Sequence, residues 1–274
     1  MIGIIGAGTM GKGIAIEFAR FGHKVVLVSY QRHLSKEHLH VEVEKVTSKF
    51  DYENKEAILN NIETTNEFSG LIDCSLIIEA VSENLEIKRK AMFDALPFIN
   101  KTAIISSNTS SLSIEDIFNG IFTLDRIMGL HFFNPVQVMK LVELSYLEES
   151  NKDDIEKARQ LVCSIGKEVV LVKNTPGFIV NRLLIPLINE ASKIVEEGIA
   201  SIEDVDRAMK FGANHPMGPL KLSDLIGNDV ILAIMETLKK ENPNHQISEL
   251  LKSKVSNNEL GRKTQAGFYK YEKK

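Results

Sequence analysis

The chain has 274 residues, of which 43% are hydrophobic and 26% are charged, and its formal net charge is -4 at pH 7. A chain of this length can bury a sizeable core without disulfides or structural metal, and it has room for two modest domains. The slightly acidic balance argues against a protein that binds nucleic acid or an anionic membrane surface.

The sequence shows neither a targeting signal nor a membrane segment. It opens on the apolar run at residues 2–5 with no basic leader, and no apolar run is long enough to span a bilayer. Both cysteines, Cys74 and Cys163, stand among apolar residues, which predicts two buried thiols in a reducing compartment. We therefore expect a cytoplasmic protein without a disulfide or a zinc site.

Short apolar runs alternate with longer amphipathic runs over the first two-thirds of the chain. This rhythm is typical of a parallel sheet covered by helices on both faces. The predicted strands are residues 2–5, 24–28, 76–79, 103–106, 126–130, 141–144 and 168–172. Helices are predicted at 11–21 and 153–165, and Ser113 with Asp116 has the spacing of a capping box.

Strand signals end after the turn at residues 174–177. Helices are then predicted at 178–197 and 201–210, with a turn at 214–219. Ser201 and Asp204 have the spacing to cap the second of these helices. We therefore expect a doubly wound α/β sheet domain over residues 1–174 and a smaller all-α domain over residues 175–274.

A glycine-rich turn, Gly6-Ala7-Gly8-Thr9-Met10-Gly11, follows the first strand and opens the first helix. In this setting Gly6 permits a tight turn, Gly8 lets the backbone approach a diphosphate, and Gly11 lets helix and strand pack closely. The helix start at Thr9 and Met10 offers N–H groups and a favourable dipole to the same anion. The pattern predicts a dinucleotide site, and a glycine-rich turn without a ligand is the alternative.

The end of the second strand lacks the acid that usually binds the adenosine ribose. Residues 28–32 read Val-Ser-Tyr-Gln-Arg, and no Asp or Glu appears before Glu37. A small hydroxyl at Ser29 with Arg32 nearby suits a 2′-phosphate, although Arg32 can equally be a solvated surface residue. The sequence therefore leaves both NAD and NADP open.

Polar residues that suit alcohol oxidation stand near the ends of predicted strands. The segment at 106–111 and His131 each follow a strand, and ligands bind at carboxyl ends in open α/β sheets. An imidazole near neutral pH can take the hydroxyl proton when a hydride leaves. The alternative is that a lone histidine after a strand is structural, which is the commoner case.

Three further residues complete this candidate site. Glu143 lies on another predicted strand and can orient the imidazole and stabilise its charged form. Ser110 and Asn181, the latter in the first helix of the second domain, can hold the substrate oxygen. We expect these residues to gather in a crevice between the two domains.

Five segments in this order resemble the 3-hydroxyacyl-CoA dehydrogenase family. They are GAGTMG at 6–11, SNTSS at 107–111, GLHFFNP at 129–135, PGFIVNR at 176–182 and GFY at 267–269. The resemblance implies a Rossmann-like domain followed by a helical domain that forms a homodimer. It also implies hydride exchange between a nicotinamide dinucleotide and 3-hydroxyacyl thioesters, with His131 as base, Glu143 as its partner, and Ser110 and Asn181 on the reacting oxygen.

The resemblance also implies further contacts with the cofactor. The residues that match the family at such positions are Glu83, Lys88, Asn108, Asn134 and Lys263. Each can equally be structural, and Glu83 with Lys88 alone is typical of a solvated helix start.

The chain departs from the family in two places. Ser29 replaces the ribose-binding acid, and the stretch at 31–64 is shorter than the helical hairpin with which relatives help hold coenzyme A. Its lysines can meet phosphates or be plain surface, and they are Lys36, Lys45, Lys49 and Lys55. A thioester on acyl-carrier protein, as in related polyketide enzymes, is therefore the alternative to an acyl-CoA substrate.

Two other functions compete with this interpretation. One is a non-catalytic homologue, like the lens crystallins that resemble the family, although the presence of all four candidate catalytic residues favours an enzyme. The other is a dehydrogenase for a small free hydroxy acid, which needs a cationic clamp. Neither Arg182 nor Lys140 is a good candidate for that clamp, because the sequence does not show which way either side chain faces.

Overall fold

The computed structural model of the chain describes residues 1–30, 35–50, 52 and 54–272. It divides into two units, Met1–Thr175 and Pro176–Lys274. The first unit carries a sheet and the second is helical, which confirms the predicted fold class.

One sheet of eight strands runs through the described part of the first unit. The strands are β1 (Ile2–Ile5), β2 (Val25–Val28), β3 (Ile62–Thr65), β4 (Leu76–Glu79), β5 (Ile104–Ser107), β6 (Ile127–Phe132), β7 (Leu141–Tyr146) and β8 (Glu168–Lys173). Their order is β3-β2-β1-β4-β5-β6-β7-β8, and all neighbours are parallel except β6 and β7. The strand order reverses at β1, so ligands are expected beyond the carboxyl ends of β1 and β4.

Helices cover both faces of this sheet. They are α1 (Thr9–Arg20), α2 (Lys36–Phe50), α3 (Lys55–Asn60), α4 (Leu85–Ala95), α5 (Ile114–Phe118) and α6 (Lys152–Cys163), with short 3₁₀ turns at Phe68–Leu71, Leu96–Phe98 and Leu124–Arg126. One core includes Phe18 of α1 and Val162 of α6, and a second includes Met92 of α4 and Phe118 of α5. Strands β1, β2, β4, β5 and β6 are buried along their whole length between these two layers, whereas the edge strand β8 is largely exposed.

Local differences from the sequence-based expectations have simple causes. β3 was not predicted, because its Glu63, Thr64 and Thr65 give an edge strand little apolar signal. β6 continues through His131 to Phe132, since pairing with β7 extends it beyond the predicted end. Ser113 precedes α5, but its hydroxyl accepts a hydrogen bond from the Asn174 amide at 3.1 Å, and no side-chain cap is present among the described residues, so the capping-box prediction was wrong.

The second unit is built from helices around one apolar core. They are α7 (Val180–Glu196), α8 (Ile202–Gly212), α9 (Pro219–Ile226), α10 (Asn228–Glu241) and α11 (Glu249–Ser256), followed by a 3₁₀ turn at Arg262–Thr264. Ile188 of α7, Ile231 and Met235 of α10, and Leu251 of α11 are each fully buried in it. Ser201 caps α8 as predicted, since its hydroxyl accepts a hydrogen bond from the Asp204 N–H at 3.1 Å.

The segment that follows the last helical turn is tied to the buried carboxylate of Asp224. This carboxylate accepts hydrogen bonds from the N–H groups of Phe268 and Tyr269, at 2.9 and 2.8 Å, and from the Tyr271 hydroxyl at 3.0 Å. A Cβ at Gly267 would overlap the Asp224 carboxylate. We define residues 267–271 as the C-terminal strap, and it completes the core of the helical unit through Phe268.

The two cysteines differ in exposure. Cys74 is buried, as predicted, whereas Cys163 is exposed, so that prediction was wrong for Cys163. In α6 the residues that face the sheet are Ala158 and Val162, and the next position along a helix turns about 100° away from them. None of the helices in the described residues is long and apolar enough to cross a membrane.

Candidate active site

The turn between β1 and α1 is closed by packing that requires glycine. Gly6 has φ +115°, and a Cβ there would lie 2.6 Å from the backbone of Ala80, just beyond β4. A Cβ at Gly11 would overlap the carbonyl oxygen of Gly6. A Cβ at Gly8, in contrast, would meet no heavy atom of the described residues within 4 Å. The turn is therefore tightly packed on both sides and open at its middle glycine.

The first turn of α1 faces that opening. Gly8 is the N-cap residue and has no side chain to occupy the helix N–H groups, and the first turn contains no acidic residue. Thr9 is exposed, while Met10 is half-buried and packs against the core. Helix N-termini of this kind attract anions through their N–H groups and dipole. The residues present thus fit the diphosphate of a dinucleotide, which residues 6–11 would hold.

The end of β2 carries the hydroxyl of Ser29 at the position where dinucleotide-binding domains usually have a carboxylate. Ser29 is buried, and its N–H donates a 2.8 Å hydrogen bond to the carbonyl of Thr65 in β3. Arg32 lies outside the described residues. The Gly6 N–H donates a 2.9 Å hydrogen bond to the carbonyl of Val28, the residue that precedes Ser29. Ser29 therefore lies beside the glycine-rich turn.

His131 and Glu143 form a buried pair. They stand opposite each other in the antiparallel pairing of β6 with β7, and His131 Nδ1 lies 2.8 Å from Glu143 Oε2. The side chains are 7% and 0% exposed, respectively. The Phe133 ring packs against the imidazole with centroids 4.3 Å apart. The carboxylate fixes the tautomer of the imidazole through Nδ1, and the phenyl ring helps to hold the plane of the ring.

Asn108 links this pair to the neighbouring strand. Its side-chain oxygen accepts a 2.9 Å hydrogen bond from the Phe132 N–H, one residue beyond His131. Its own N–H donates to the carbonyl of Glu79 at 2.7 Å. Asn108 therefore joins the ends of β4, β5 and β6, which sets their relative positions at the carboxyl edge of the sheet.

Residues 107–111 form a segment that we call the serine loop, and three of them, Thr109, Ser110 and Ser111, contact the carboxylate of Glu83. Its Oε1 accepts hydrogen bonds from the Thr109 hydroxyl at 2.7 Å and from the N–H groups of Ser110 and Ser111 at 2.9 and 3.2 Å. The hydroxyls of both serines lie 3.3 and 3.2 Å from the same oxygen. One carboxylate thus fixes the backbone that carries Ser110.

Lys88 lies between two carboxylates. Its Nζ is 3.0 Å from both oxygens of Glu79 and 3.2 Å from Glu83 Oε2. Lys88 is only 1% exposed, so the alternative of a solvated helix start is wrong for it. Its direct contact with a cofactor stays a prediction.

The two carboxylates differ in their electrostatics. Burial raises the pKa of Glu79 despite the opposing charge of Lys88 and the donors around it. Burial also acts to raise the pKa of Glu83, but Lys88 and the hydrogen bonds from the serine loop outweigh it and leave that pKa lowered. Glu83, whose side chain is 37% exposed, is therefore the more firmly ionised of the two and the one that reaches the surface.

Asn134 lies in the segment after β6 and is exposed, with a cis peptide bond to Pro135. Together with Thr9 it lines a cavity of about 220 Å³ beside α1 and α2. Lys12, Lys45 and Lys49 line the same cavity, which gives it a basic wall.

Two predicted site residues belong to the second unit. Asn181 is half-buried in the first turn of α7. Lys263 makes a short ion pair with Asp229 at the start of α10, with Nζ 2.5 and 2.6 Å from the two carboxylate oxygens. The roles of both residues stay predictions.

Comparison with known families assigns both units. The NAD-binding domain of 3-hydroxyacyl-CoA dehydrogenase matches residues 1–175, and the C-terminal domain of the same enzymes matches residues 177–271. The chain belongs to the 3-hydroxyacyl-CoA dehydrogenase family.

Individual family members agree over the full chain. A 3-hydroxybutyryl-CoA dehydrogenase of Clostridioides difficile is 44% identical over 280 residues, which cover 99% of each protein. The mitochondrial hydroxyacyl-coenzyme A dehydrogenase of Homo sapiens is 41% identical and covers 98% of this chain and 90% of its own. The crystal structure of (S)-3-hydroxybutyryl-CoA dehydrogenase from Ralstonia eutropha has a TM-score of 0.93 at 38% identity, with 99% of both chains covered.

Membership of the 3-hydroxyacyl-CoA dehydrogenase family defines the class of chemistry. The protein is an oxidoreductase of the 3-hydroxyacyl-CoA dehydrogenase class, with a nicotinamide dinucleotide as its cofactor. The family, the fold class and the enzyme class predicted from sequence are thereby confirmed.

Sequence reasoning missed several residues that shape this site. Glu79, Ser107 and Thr109 received no individual role, yet all three are buried, Ser107 and Thr109 within the serine loop and Glu79 in contact with Ser107. A signal was available for Glu79, because a carboxylate that ends an otherwise apolar strand requires a buried partner. Phe133 was part of a matched motif, but its packing on His131 could not be inferred from spacing.

Proposed function

We propose that this enzyme transfers a hydride between NAD(P) and the 3-position of a 3-hydroxyacyl or 3-oxoacyl thioester, with coenzyme A as the carrier. The observation that carries the proposal is the buried pair of His131 and Glu143, joined at 2.8 Å at the end of β6. A base held in this way, in a unit whose first turn suits a dinucleotide, meets the needs of alcohol oxidation.

A nicotinamide dinucleotide, held by residues of the glycine-rich turn, would supply the hydride acceptor in oxidation and the hydride donor in reduction. His131 takes the hydroxyl proton on Nε2 in oxidation and returns it to the carbonyl oxygen in reduction. Glu143 holds Nδ1 and stabilises the imidazole when it is charged. Ser110 and Asn181 donate hydrogen bonds to the reacting oxygen, which stabilise negative charge that develops on it.

Turnover of acetoacetyl-CoA, followed by nicotinamide absorbance, tests this function. Replacing His131 by Gln should lower kcat by roughly 10²–10⁴-fold and leave cofactor affinity nearly unchanged, because the side chain serves proton transfer. His23→Gln is the matched control, because His23 hydrogen-bonds Ser164 at 3.0 Å and has no part in the pair of His131 and Glu143. If cofactor affinity collapses in His131→Gln, the imidazole is structural. If the unchanged enzyme shows no turnover with either cofactor or carrier, a non-catalytic role is favoured.

The carrier is the second part of the proposal. Lys12, Lys45 and Lys49 around the 220 Å³ cavity support a phosphate-bearing carrier, although Glu42 lies 3.6 and 3.5 Å from the first two. The relatives named for CoA substrates support coenzyme A. Kinetics with the same acetoacetyl group on coenzyme A and on an acyl-carrier protein should give the higher kcat/KM for the CoA thioester. A clear preference for the protein-bound group would reverse this choice.

The cofactor proposal includes both NAD and NADP. A buried Ser29 places no negative charge at the end of β2, and so nothing at this position repels a 2′-phosphate. Measured KM values for NADH and NADPH should therefore lie within about tenfold of each other.

We also propose that the chain forms a homodimer through the helical unit. Leu183, Ile199 and Phe211 are 71%, 68% and 80% exposed there, which is unusual for large apolar side chains. Light scattering after gel filtration should give twice the chain mass, and Phe211→Lys should shift it towards the monomer. A monomer at micromolar concentration would contradict this part.

A further inference from the structure

Three charged residues next to the serine loop form a row of ion pairs. Glu79 ends β4, Lys88 lies in α4, and Glu83 lies between them in sequence. The Glu79 side chain is 0% exposed and that of Lys88 is 1% exposed, whereas Glu83 reaches the surface. The family resemblance gives roles to Glu83 and Lys88 but none to Glu79.

We propose that Glu79 is a positioning residue, which holds the serine loop through Lys88 and Glu83 and thereby fixes the place of Ser110. This inference rests on the proposed function only in the role that Ser110 has there. The positioning itself is a property of the free protein.

The contacts of Glu83 divide its two oxygens between separate tasks. Oε1 receives the Ser110 and Ser111 N–H groups, and Oε2 lies 3.2 Å from Lys88 Nζ. A glutamate side chain has three rotatable bonds, and partners on both oxygens restrict the orientation of its carboxylate more than a partner on one oxygen does. The position of the serine loop therefore depends on where Lys88 holds Oε2.

Lys88 needs an anchor of its own. Its ammonium is a point charge on a flexible stem, so its position is set by the groups that bind it. Glu79 supplies both oxygens at 3.0 Å, and it is fixed in turn by the Val81 N–H at 2.6 Å and the Ser107 hydroxyl at 2.5 Å. Glu79 is therefore held firmly in place, and it contacts Ser107, the first residue of the serine loop.

Stability alone does not account for this arrangement. Burying ions is costly, and apolar packing of equal volume usually stabilises a fold as well or better. Two carboxylates around one ammonium also leave a net negative charge in a nearly closed space. The ion pairs of Glu79, Lys88 and Glu83 instead give orientation, because each contact fixes the position of the next group.

Glu79→Gln tests the proposal because it keeps the size of the side chain and removes its charge. Amide exchange by NMR in the free protein should speed up at Ser110 and Ser111 by at least about tenfold, since their acceptor loses its fixed position. Turnover of acetoacetyl-CoA should fall by about 10–100-fold in kcat, with KM for the thioester changed less than about threefold. Glu79→Asp retains the charge, and the flexible Lys88 can follow it, so most of both properties should return.

Glu17→Gln is the matched control. Glu17 is another buried carboxylate of the first unit, and it pairs with buried Lys167 at 3.1 Å and with Arg20 at 2.9 Å. The Glu17→Gln variant should lower Tm by about as much as Glu79→Gln does, without faster amide exchange at Ser110 and Ser111. Equal acceleration in both variants would mean a general loss of stability and would overturn the proposal, as would unchanged exchange in Glu79→Gln.

If Glu79→Gln does not fold, the double variant Glu79→Gln with Lys88→Met serves, because removing both members of a buried pair is better tolerated than removing one. Exchange at Ser110 and Ser111 equal to that of the unchanged protein would then overturn the proposal. The exchange readout needs no substrate. Failure of the oxidoreductase function would appear as absent turnover in the unchanged protein, with the exchange result still decisive for positioning.

Discussion

His131 and Glu143 occupy directly opposed positions on β6 and β7, the one antiparallel pair in the described sheet. Their 2.8 Å contact therefore rests on a backbone ladder and not on a loop. Directly opposed side chains in such a pair have Cβ atoms about 4.5–5.5 Å apart, which suits an imidazole and a carboxylate in contact. The pair is organised by the same strand register that forms the sheet.

Glu143→Gln should lower kcat by about 10²-fold, because an amide orients the ring without stabilising its charged form. Steady-state kinetics with acetoacetyl-CoA measures this, and cofactor Kd should stay within about threefold. Glu168→Gln is the control, since Glu168 is an exposed carboxylate on neighbouring β8. Equal losses in the two variants would contradict a specific role for Glu143.

Gly8→Ala and Gly11→Ala should separate binding from folding. Alanine at Gly8 meets no described atom within 4 Å, so Tm should hold while the added methyl group weakens dinucleotide binding. Alanine at Gly11 overlaps the Gly6 carbonyl oxygen, so it should destabilise the fold by about 1–3 kcal/mol or more. Thermal unfolding and NADH fluorescence titration measure the two effects. Normal NADH affinity in Gly8→Ala would place the diphosphate elsewhere.

Ser29→Asp should convert the cofactor preference. A carboxylate at the end of β2 can bind ribose hydroxyls and repels a 2′-phosphate, so KM for NADPH should rise by about tenfold or more while KM for NADH stays equal or falls. Ser29→Thr, which keeps the hydroxyl, is the control. An unchanged ratio of the two KM values would show that the adenosine ribose does not reach Ser29.

Tyr271→Phe should change how stability responds to alkaline pH. Burial and the Asp224 carboxylate raise the pKa of Tyr271 to about 12, against about 10 for an unfolded tyrosine. Because the folded state holds the proton more tightly, this contribution is complete below about pH 10 and is lost as pH rises towards 12. The unfolding free energies of the two proteins should therefore differ by about 0.5–1.5 kcal/mol at pH 8 and converge by pH 12. If the difference in unfolding free energy between the two proteins stays constant from pH 8 to pH 12, the hydrogen bond of the Tyr271 phenol does not contribute to stability.

Much of the fold could be predicted because its signals are local. The apolar strands β1, β4 and β8 and the capped helix α8 each carry a pattern that reads directly in sequence. The edge strand β3 could not be found, since a four-residue strand with one buried position has almost no periodicity. Exposure of Cys163 was missed because a run of apolar neighbours does not show which side of a helix faces solvent.

The site divides along the same line. His131, Glu143 and the glycines could be named from motifs, and the family resemblance implied that Glu143 is the partner of His131. The strand register that brings these two side chains together is seen only in the structure. Glu79 could not, because its partners Lys88 and Ser107 come from a helix and another strand, and only the folded sheet brings them together. Long-range pairing of buried charges leaves no spacing rule in a single sequence.

The C-terminal strap has a consequence for how the protein is made. Phe268 packs in the helical core, and three of the hydrogen bonds to the buried Asp224 carboxylate form only when residues 268–271 are in place. Domains generally fold in order during synthesis, so the sheet unit can fold first, whereas the helical unit closes only once the strap has been made. A nascent chain that has not reached residue 268 would therefore carry a folded nucleotide-binding unit followed by a helical unit with exposed apolar surface, which chaperones would bind.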